Sequence, residues 1–333
     1  MRFRDILGHE KETAMLKKAV LNGRVAHAYL FSGPDGVGKK LLALSFAQAL
    51  NCGDLRDDGD SCGVCPSCRG AECGSNVNIL RVEPDEGVLR IDQIRDLQRV
   101  LKYSVENGRR VAVIEGADLM VRSASSVFLK TLEEPPGGAI VIMLSSRPDD
   151  LFSTILSRCQ RVRLRPLGQG VISGVLTERY SIGREEAAAA SRLSGGSLSM
   201  AIRLVEGGLL ERRKKFLDGF KGLKGMDGAG LLDFASRLSK DKGIEEIFEF
   251  LKSRYRDLAF LRAGCPHLAV DNAIEARGDC PTIGGLLNSF DLVEEARRNI
   301  LPPRYANRGM TVEALLIGLR GVLEEAEGTE AIS

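Results

Sequence analysis

The sequence predicts an α/β fold: a parallel sheet with helices on both faces, followed by a helical C-terminal half. Three observations predict it. Apolar strand-like runs alternate with helical patterns up to about residue 165. The first of those runs turns through a glycine-rich loop straight into an apolar helix, the setting of a phosphate loop. Beyond Pro166 the strand signals fade and helical periodicity takes over. At 333 residues the chain is long for a single core. Boundaries are expected at 1–165, 166–207 and 208–333, the last at Gly207-Gly208.

A helix is expected from Glu10 to Leu21, with Met15, Leu16, Ala19 and Val20 on its apolar face and Asn22-Gly23 ending it. Ala28-Tyr29-Leu30-Phe31 is the first strand, and Leu41 to Leu50 is the helix after the loop. Between them, Gly33, Gly36, Gly38 and Lys39 are the expected phosphate cradle. The pattern asks for Ser or Thr next, and the chain has Lys40. The missing hydroxyl normally ligates the magnesium that accompanies a nucleotide, and an ammonium has only donors. Nucleotide binding is therefore doubtful, and hydrolysis more so.

Residues 51–75 form a polar, Gly-rich insert without a core pattern. Its cysteines fall as C-x9-C-x2-C-x2-C. Cys62 and Cys65 form a knuckle, and Cys68 and Cys52 complete a closed shell of four thiolates, the donor set of structural zinc. Cys73 competes as fourth ligand, and Cys52 is preferred because it ends the P-loop helix and closes the insert.

Strands follow at Asn78–Val82, Arg109–Glu115, Ala139–Leu144 and Arg161–Leu164. Helices are expected at Ile91–Leu101, Ser123–Leu132 and Asp150–Leu156. Glu115 ends its strand where nucleotide hydrolases hold magnesium and water, but the residue after it is Gly116, not a second acid. Ser145-Ser146 end the next strand, where a polar side chain can sense a terminal phosphate. In the C-terminal half, helices are expected at Val171–Tyr180, Arg184–Leu193, Leu198–Val205, Leu209–Phe220, Ala229–Leu238, Gly243–Arg262, Thr282–Leu301 and Val312–Glu325.

Composition limits the function classes. The net charge is +2, with 44% hydrophobic and 28% charged residues, which makes no bulk electrostatic bid for nucleic acid. A zinc-containing DNA-binding module would have to rest on local basic residues such as Arg109, Arg110 and Arg122. No apolar run is long enough to span a membrane and no signal-peptide core leads the chain, so a cytoplasmic protein is expected. Eight cysteines there argue for metal or free thiols.

Several stretches together resemble one family. They are His27-Ala28-Tyr29-Leu30-Phe31-Ser32-Gly33, the four-cysteine insert, Leu132-Glu133-Glu134-Pro135-Pro136, Ser157-Arg158-Cys159 and, more loosely, Arg254-Tyr255-Arg256-Asp257-Leu258. The chain is similar to bacterial clamp-loader subunits of DNA polymerase III. The resemblance implies an AAA+ P-loop sheet domain, a small helical lid and an all-α C-terminal collar that serves oligomerisation. It also implies gamma/tau motor subunits and the delta subunit as partners. The sliding clamp and primer-template DNA would be met through the assembled complex, whose overall reaction is nucleotidyl transfer. Lys40, Gly116 and Ser199, which stands where motors carry a lid arginine, imply the family's non-hydrolysing branch. A gamma/tau-type motor is the alternative. Arg158 keeps the family's arginine-finger motif, which acts in trans on a neighbour's nucleotide.

Overall fold

The computed structural model describes residues 1–103, 108–206, 216–220, 222–241, 243–269, 282–300 and 306–330. The chain divides into two compact units. One is Met1–Val175 together with Gly196–Met200; the other is Leu176–Gly195 together with Ala201–Ser333.

In the first unit the elements run α1 (Glu10–Leu21), β1 (Ala28–Ser32), α2 (Lys39–Leu50), α3 (Pro66–Glu72), β2 (Ile79–Val82), α4 (Ile91–Leu101), β3 (Val111–Ile114), α5 (Arg122–Glu133), β4 (Ile140–Ser145), α6 (Ser153–Leu156) and β5 (Gln160–Arg163). The five strands form one sheet in the order β2-β3-β4-β1-β5, and every pairing is parallel. Each of β1, β3 and β4 is buried along its whole length, as a sheet covered on both faces requires.

The period of two in a strand sorts these residues into two cores. Tyr29, Phe31, Val113, Ile142, Val162 and Leu164 pack with Leu42, Phe46 and Phe3 on one face. Ala28, Leu30, Ala112, Ile114, Val141 and Met143 pack with Ile94, Leu97, Phe128 and Ile155 on the other. Tyr29 stands edge-on to Phe46 at 5.1 Å, and its buried hydroxyl accepts from Ala26 N at 3.0 Å.

Two expectations need correction. The helix expected over Asp150–Leu156 covers only Ser153–Leu156, because Pro148–Asp150 is a separate 3-10 turn. The insert is not featureless: Pro66–Glu72 is α3, with Pro66 in its first turn and the Cys65 thiol accepting from Cys68 N at its start.

The chain continues through α7 (Gln169–Tyr180), α8 (Arg184–Leu193) and α9 (Leu198–Glu206), then α10 (Gly228–Ser239), α11 (Ile244–Arg262), α12 (Ile283–Ile300) and α13 (Arg308–Glu330). Of the helix expected at Leu209–Phe220, residues 209–215 lie outside the described residues and 216–220 are helical; Leu301 is also outside them. The core of the second unit is built from Leu231, Ala235, Ile247, Phe248, Leu251, Leu286, Val293, Val312, Leu316 and Leu319.

An ion cluster borders that core. Glu294 contacts Lys252 Nζ at 2.9 Å, Arg297 Nη2 at 2.8 Å and Arg298 Nε at 3.2 Å. Burial opposes its ionisation, but Arg297 and Lys252 outweigh burial and lower its pKa to about 2. That lies below the ordinary value, so the stabilisation is complete above about pH 4.5 and fades as the pH falls towards 2. Glu294→Gln is expected to cost about 1–2 kcal/mol at pH 7, after discounting for solvent screening. Urea midpoints of the two proteins should converge between pH 7 and pH 3, and a constant gap would contradict this origin.

Candidate functional site

In a parallel α/β sheet, ligand-binding crevices lie outside the C-terminal ends of the strands. Here β1 ends at Ser32, paired with Ser145 of β4, and β3 ends at Ile114, paired with Val82 of β2. The next residues, Gly33, Ser146, Glu115 and Glu83, therefore stand along one edge.

The P-loop leaves β1 and reaches α2 through Gly38 in a left-handed conformation. Its carbonyls are engaged from within the protein. Lys39 Nζ donates to Gly33 O at 2.6 Å and Pro34 O at 2.8 Å. His9, buried at the start of α1, places Nε2 2.9 Å from Val37 O. Leu198 N, at the start of α9, donates to Gly36 O at 3.0 Å. The segment carrying Leu198 lies so close to the loop that a Cβ on Gly36 would be 2.3 Å from Ser197 Oγ and 2.8 Å from Ser199 Cβ, at a φ of +75°. Sequence reasoning missed His9 and Ser197; no local motif marks either of them.

Lys40 lies between two carboxylates. Its Nζ is 2.8 Å from Glu83 Oε1, a hydrogen bond, and 2.6 Å from Glu115 Oε1, an ion-pair contact without hydrogen-bond direction. Burial alone would lower the ammonium's pKa, but Glu115 and Glu83 outweigh it and the net shift is upward. Glu115 is raised, chiefly by burial and also by Glu83, with Lys40 opposing; Glu83 is lowered, first by its bond to Lys40. A positive charge of this protein thus sits on the carboxylate that a P-loop site uses for magnesium. The residues present do not fit that metal: the oxygen donor is replaced by a cation.

Gly116 adopts φ 57° and ψ 46°, and a Cβ there would lie 2.9 Å from Leu119 Cδ1 and 3.0 Å from Pro84 Cγ. A second acid at this place would be strained as well as new. Asp118, two residues beyond Gly116, is in a 3-10 turn and buried. It accepts from Ser146 N and Arg147 Nε, each at 3.2 Å. Ser145 Oγ accepts from Arg147 N at 3.1 Å, so this hydroxyl is engaged inside the protein.

The four cysteines Cys52, Cys62, Cys65 and Cys68 converge, with all their sulfurs within 4.8 Å of one another. Cys68 Sγ is 3.6 Å from Cys52 Sγ and 3.9 Å from Cys62 Sγ. A tetrahedral shell with zinc–sulfur bonds of about 2.3 Å needs sulfurs about 3.8 Å apart. Backbone amides point at the sulfurs: Cys62 N at Cys52 Sγ, Cys65 N and Val64 N at Cys62 Sγ, and Cys68 N at Cys65 Sγ, at 3.3–3.4 Å. Burial raises the Cys65 thiol, but the amides of Cys68 and Gly53 outweigh it and lower its pKa to about 6. The exposed Cys73 stands outside this group. The cluster can bind a metal.

Arg158 follows α6. Its Nη2 is 2.7 Å from Glu133 Oε1, in the Leu132–Pro136 motif, and its Nη1 donates to Thr154 O at 2.9 Å. The side chain remains about one-third exposed. Cys159 beside it is bonded to Ile155 O, and burial raises its thiol to about 11.

A glycine-rich loop after β1 of this parallel sheet, with Glu83 and Glu115 following β2 and β3, defines a P-loop class of domain in which a lysine stands at the hydroxyl position. Comparison with known proteins narrows the class. A family model described as DNA polymerase III, delta subunit, matches residues 8–168. DNA polymerase III subunit delta' of Pseudomonas aeruginosa is 35% identical over 315 residues, covering 89% of this chain and 93% of its own length. Subunit tau of Bacillus subtilis is 33% identical over 211 residues, or 62% of this chain, and the match spans only 36% of tau. A solved gamma subunit-related protein of Thermotoga maritima aligns over 93% of this chain and 98% of its own, at 17% identity and a TM-score of 0.40. The chain belongs to the delta-prime family of DNA polymerase III clamp-loader subunits. Among the described residues, no helix is long and apolar enough to cross a membrane.

Proposed function

We propose that this chain is a non-hydrolysing stator of the clamp loader. It would assemble in the cytoplasm with gamma/tau motor subunits and the delta subunit, and help to load the sliding clamp onto primer-template DNA. The observation that carries this reading is Lys40, whose ammonium bridges Glu83 and Glu115 where a hydrolysing site needs a metal. In the proposed division, 1–165 is the P-loop domain, 166–207 the lid and 208–333 the collar. Arg158 is proposed as a finger towards a neighbour's nucleotide, and the four-cysteine cluster as a structural zinc site. Bound zinc would cross-link the insert, and Cys52, Cys62, Cys65 and Cys68 would hold it as thiolates.

The purified chain is expected to hydrolyse no ATP above background. Lys40→Thr alone should not restore turnover, because position 116 still lacks an acid. Gel filtration with gamma/tau and delta should give a stable ring. Turnover abolished by Lys39→Ala would instead place the chain among the gamma/tau-type motors.

A further inference from the structure

Among the described residues β5 is an edge strand, paired only with β1. Its sequence alternates in a way the proposed function does not use. Val162 and Leu164 are buried beside Tyr29 and Phe31. Arg161, Arg163 and Arg165 alternate with them, and all three are exposed, as is Gln160. No hydrogen-bond or ion-pair partner holds any of these three guanidinium groups among the described residues. This sets them apart from Arg110, one of the basic residues first considered for nucleic acid. Arg110 donates to Val77 O and Tyr103 O and is already engaged.

Alternate residues of a strand lie about 6.6 Å apart on one side. Arg161 and Arg163 lie in β5, and Arg165 follows Leu164, whose N still donates to Ser32 O as the pairing runs out, so the three arginines present a row of forked donors suited to phosphate oxygens. The row's repeat is comparable to that of neighbouring phosphates along an extended single strand. No exposed apolar side chain interrupts it, since Val162 and Leu164 face inward. A protein partner is bound chiefly through apolar and aromatic anchors, and the row itself supplies none. Charge without anchors fits a polyanion.

We propose that Arg161, Arg163 and Arg165 on the β5 edge form a sequence-independent contact for the phosphate backbone of single-stranded nucleic acid. The row reads no base edges, so it would position a strand without selecting its sequence. It does not depend on Arg158 acting as a finger, and it would operate whether or not the chain binds nucleotide. Charged edge strands also prevent edge-to-edge pairing, and that role alone is the competing explanation.

The test uses the full chain and a fluorescein-labelled thymidine oligonucleotide, followed by anisotropy over a series of salt concentrations. Each phosphate neutralised in a single strand contributes about 0.7 to the slope of log affinity against log salt. The triple variant Arg161→Gln, Arg163→Gln, Arg165→Gln should therefore lose about 2 from that slope and bind at least tenfold more weakly at low salt. Replacing all three with lysine should keep most of the slope. Should the glutamine variant aggregate through its uncharged edge, Arg163→Glu keeps a charge there and must by itself reduce both slope and affinity. Equal slopes and affinities in wild type and variants would overturn the proposal and leave the arginines as guards of the edge. So would a wild type that binds polyglutamate but not the oligonucleotide, which would assign the row to an acidic protein surface.

Discussion

Cys65→Ser is expected to leave the protein without its metal and to loosen both the insert and the N-terminal segment. Wild-type protein purified without chelator should carry one zinc per chain. The insert has little else to hold it: Cys62, Cys68 and Ala71 are its buried apolar residues, and two of these are proposed ligands. Structural zinc contributes about 10–16 kcal/mol to small domains that fold only around it. The loss here should be smaller, because α3 and the sheet core share the load, but still several kcal/mol for the insert. It should also travel. Asp60, buried within the insert, accepts from Phe3 N at 2.9 Å and Arg4 N at 3.1 Å, and Phe3 packs beside Phe46 in the sheet core. Hydrogen exchange should therefore rise at residues 1–9 and 52–75 and stay low in β1. Cys73→Ser, at an exposed thiol outside the cluster, should change neither metal content nor exchange. Unchanged zinc in Cys65→Ser would refute the ligand assignment.

How far the sequence could be read depended on whether a signal was local. The P-loop, the cysteine spacing and the buried strands are local patterns, and each was found at its place. Lys40 was readable as the loss of a hydroxyl. The use of its charge was not, because Glu83 follows a strand 43 residues away and meets Lys40 only through the β2–β3 register. Helix α3 escaped notice because seven residues give no amphipathic period, and its cap is a cysteine sulfur rather than a Ser or Asp side chain. Asp118, receiving Arg147 and Ser146 N from the end of β4, makes a contact between elements that no local pattern marks. His9 fastening Val37 and the start of α9 fastening Gly36 are of the same kind. Sequence periodicity identifies elements, but it carries no information on which carbonyl a distant donor will reach.

Arg158→Ala is expected to leave folding and ring assembly intact and to slow ATP turnover at the neighbouring motor site. The residue's contacts are peripheral: Glu133, partly exposed, the Thr154 carbonyl and a 3.4 Å approach to Ser157 Oγ. Losing an ion pair this exposed costs at most about 1 kcal/mol of stability. The same group offers a fixed fork of five donors and stays charged at any working pH. Glu133 and Thr154 O hold the guanidinium at a part-exposed position, from which reaching a neighbour's phosphate would exchange the Glu133 contact for that phosphate. In well-studied cases an arginine supplied in trans accelerates phosphoryl transfer by about 10³–10⁵. The loss at the one site served by this chain should approach that range, while turnover of the whole ring falls less because other subunits retain their own fingers. Arg158→Lys should rescue poorly, since a point charge does not replace the fork. The comparison requires rings reconstituted with gamma/tau and delta, equal by gel filtration, assayed with clamp and primed DNA. If the wild-type and Arg158→Ala rings turned over ATP and loaded clamps equally, Arg158 would be reduced to a surface partner of Glu133, and the stator to a scaffold without a part in its neighbour's chemistry.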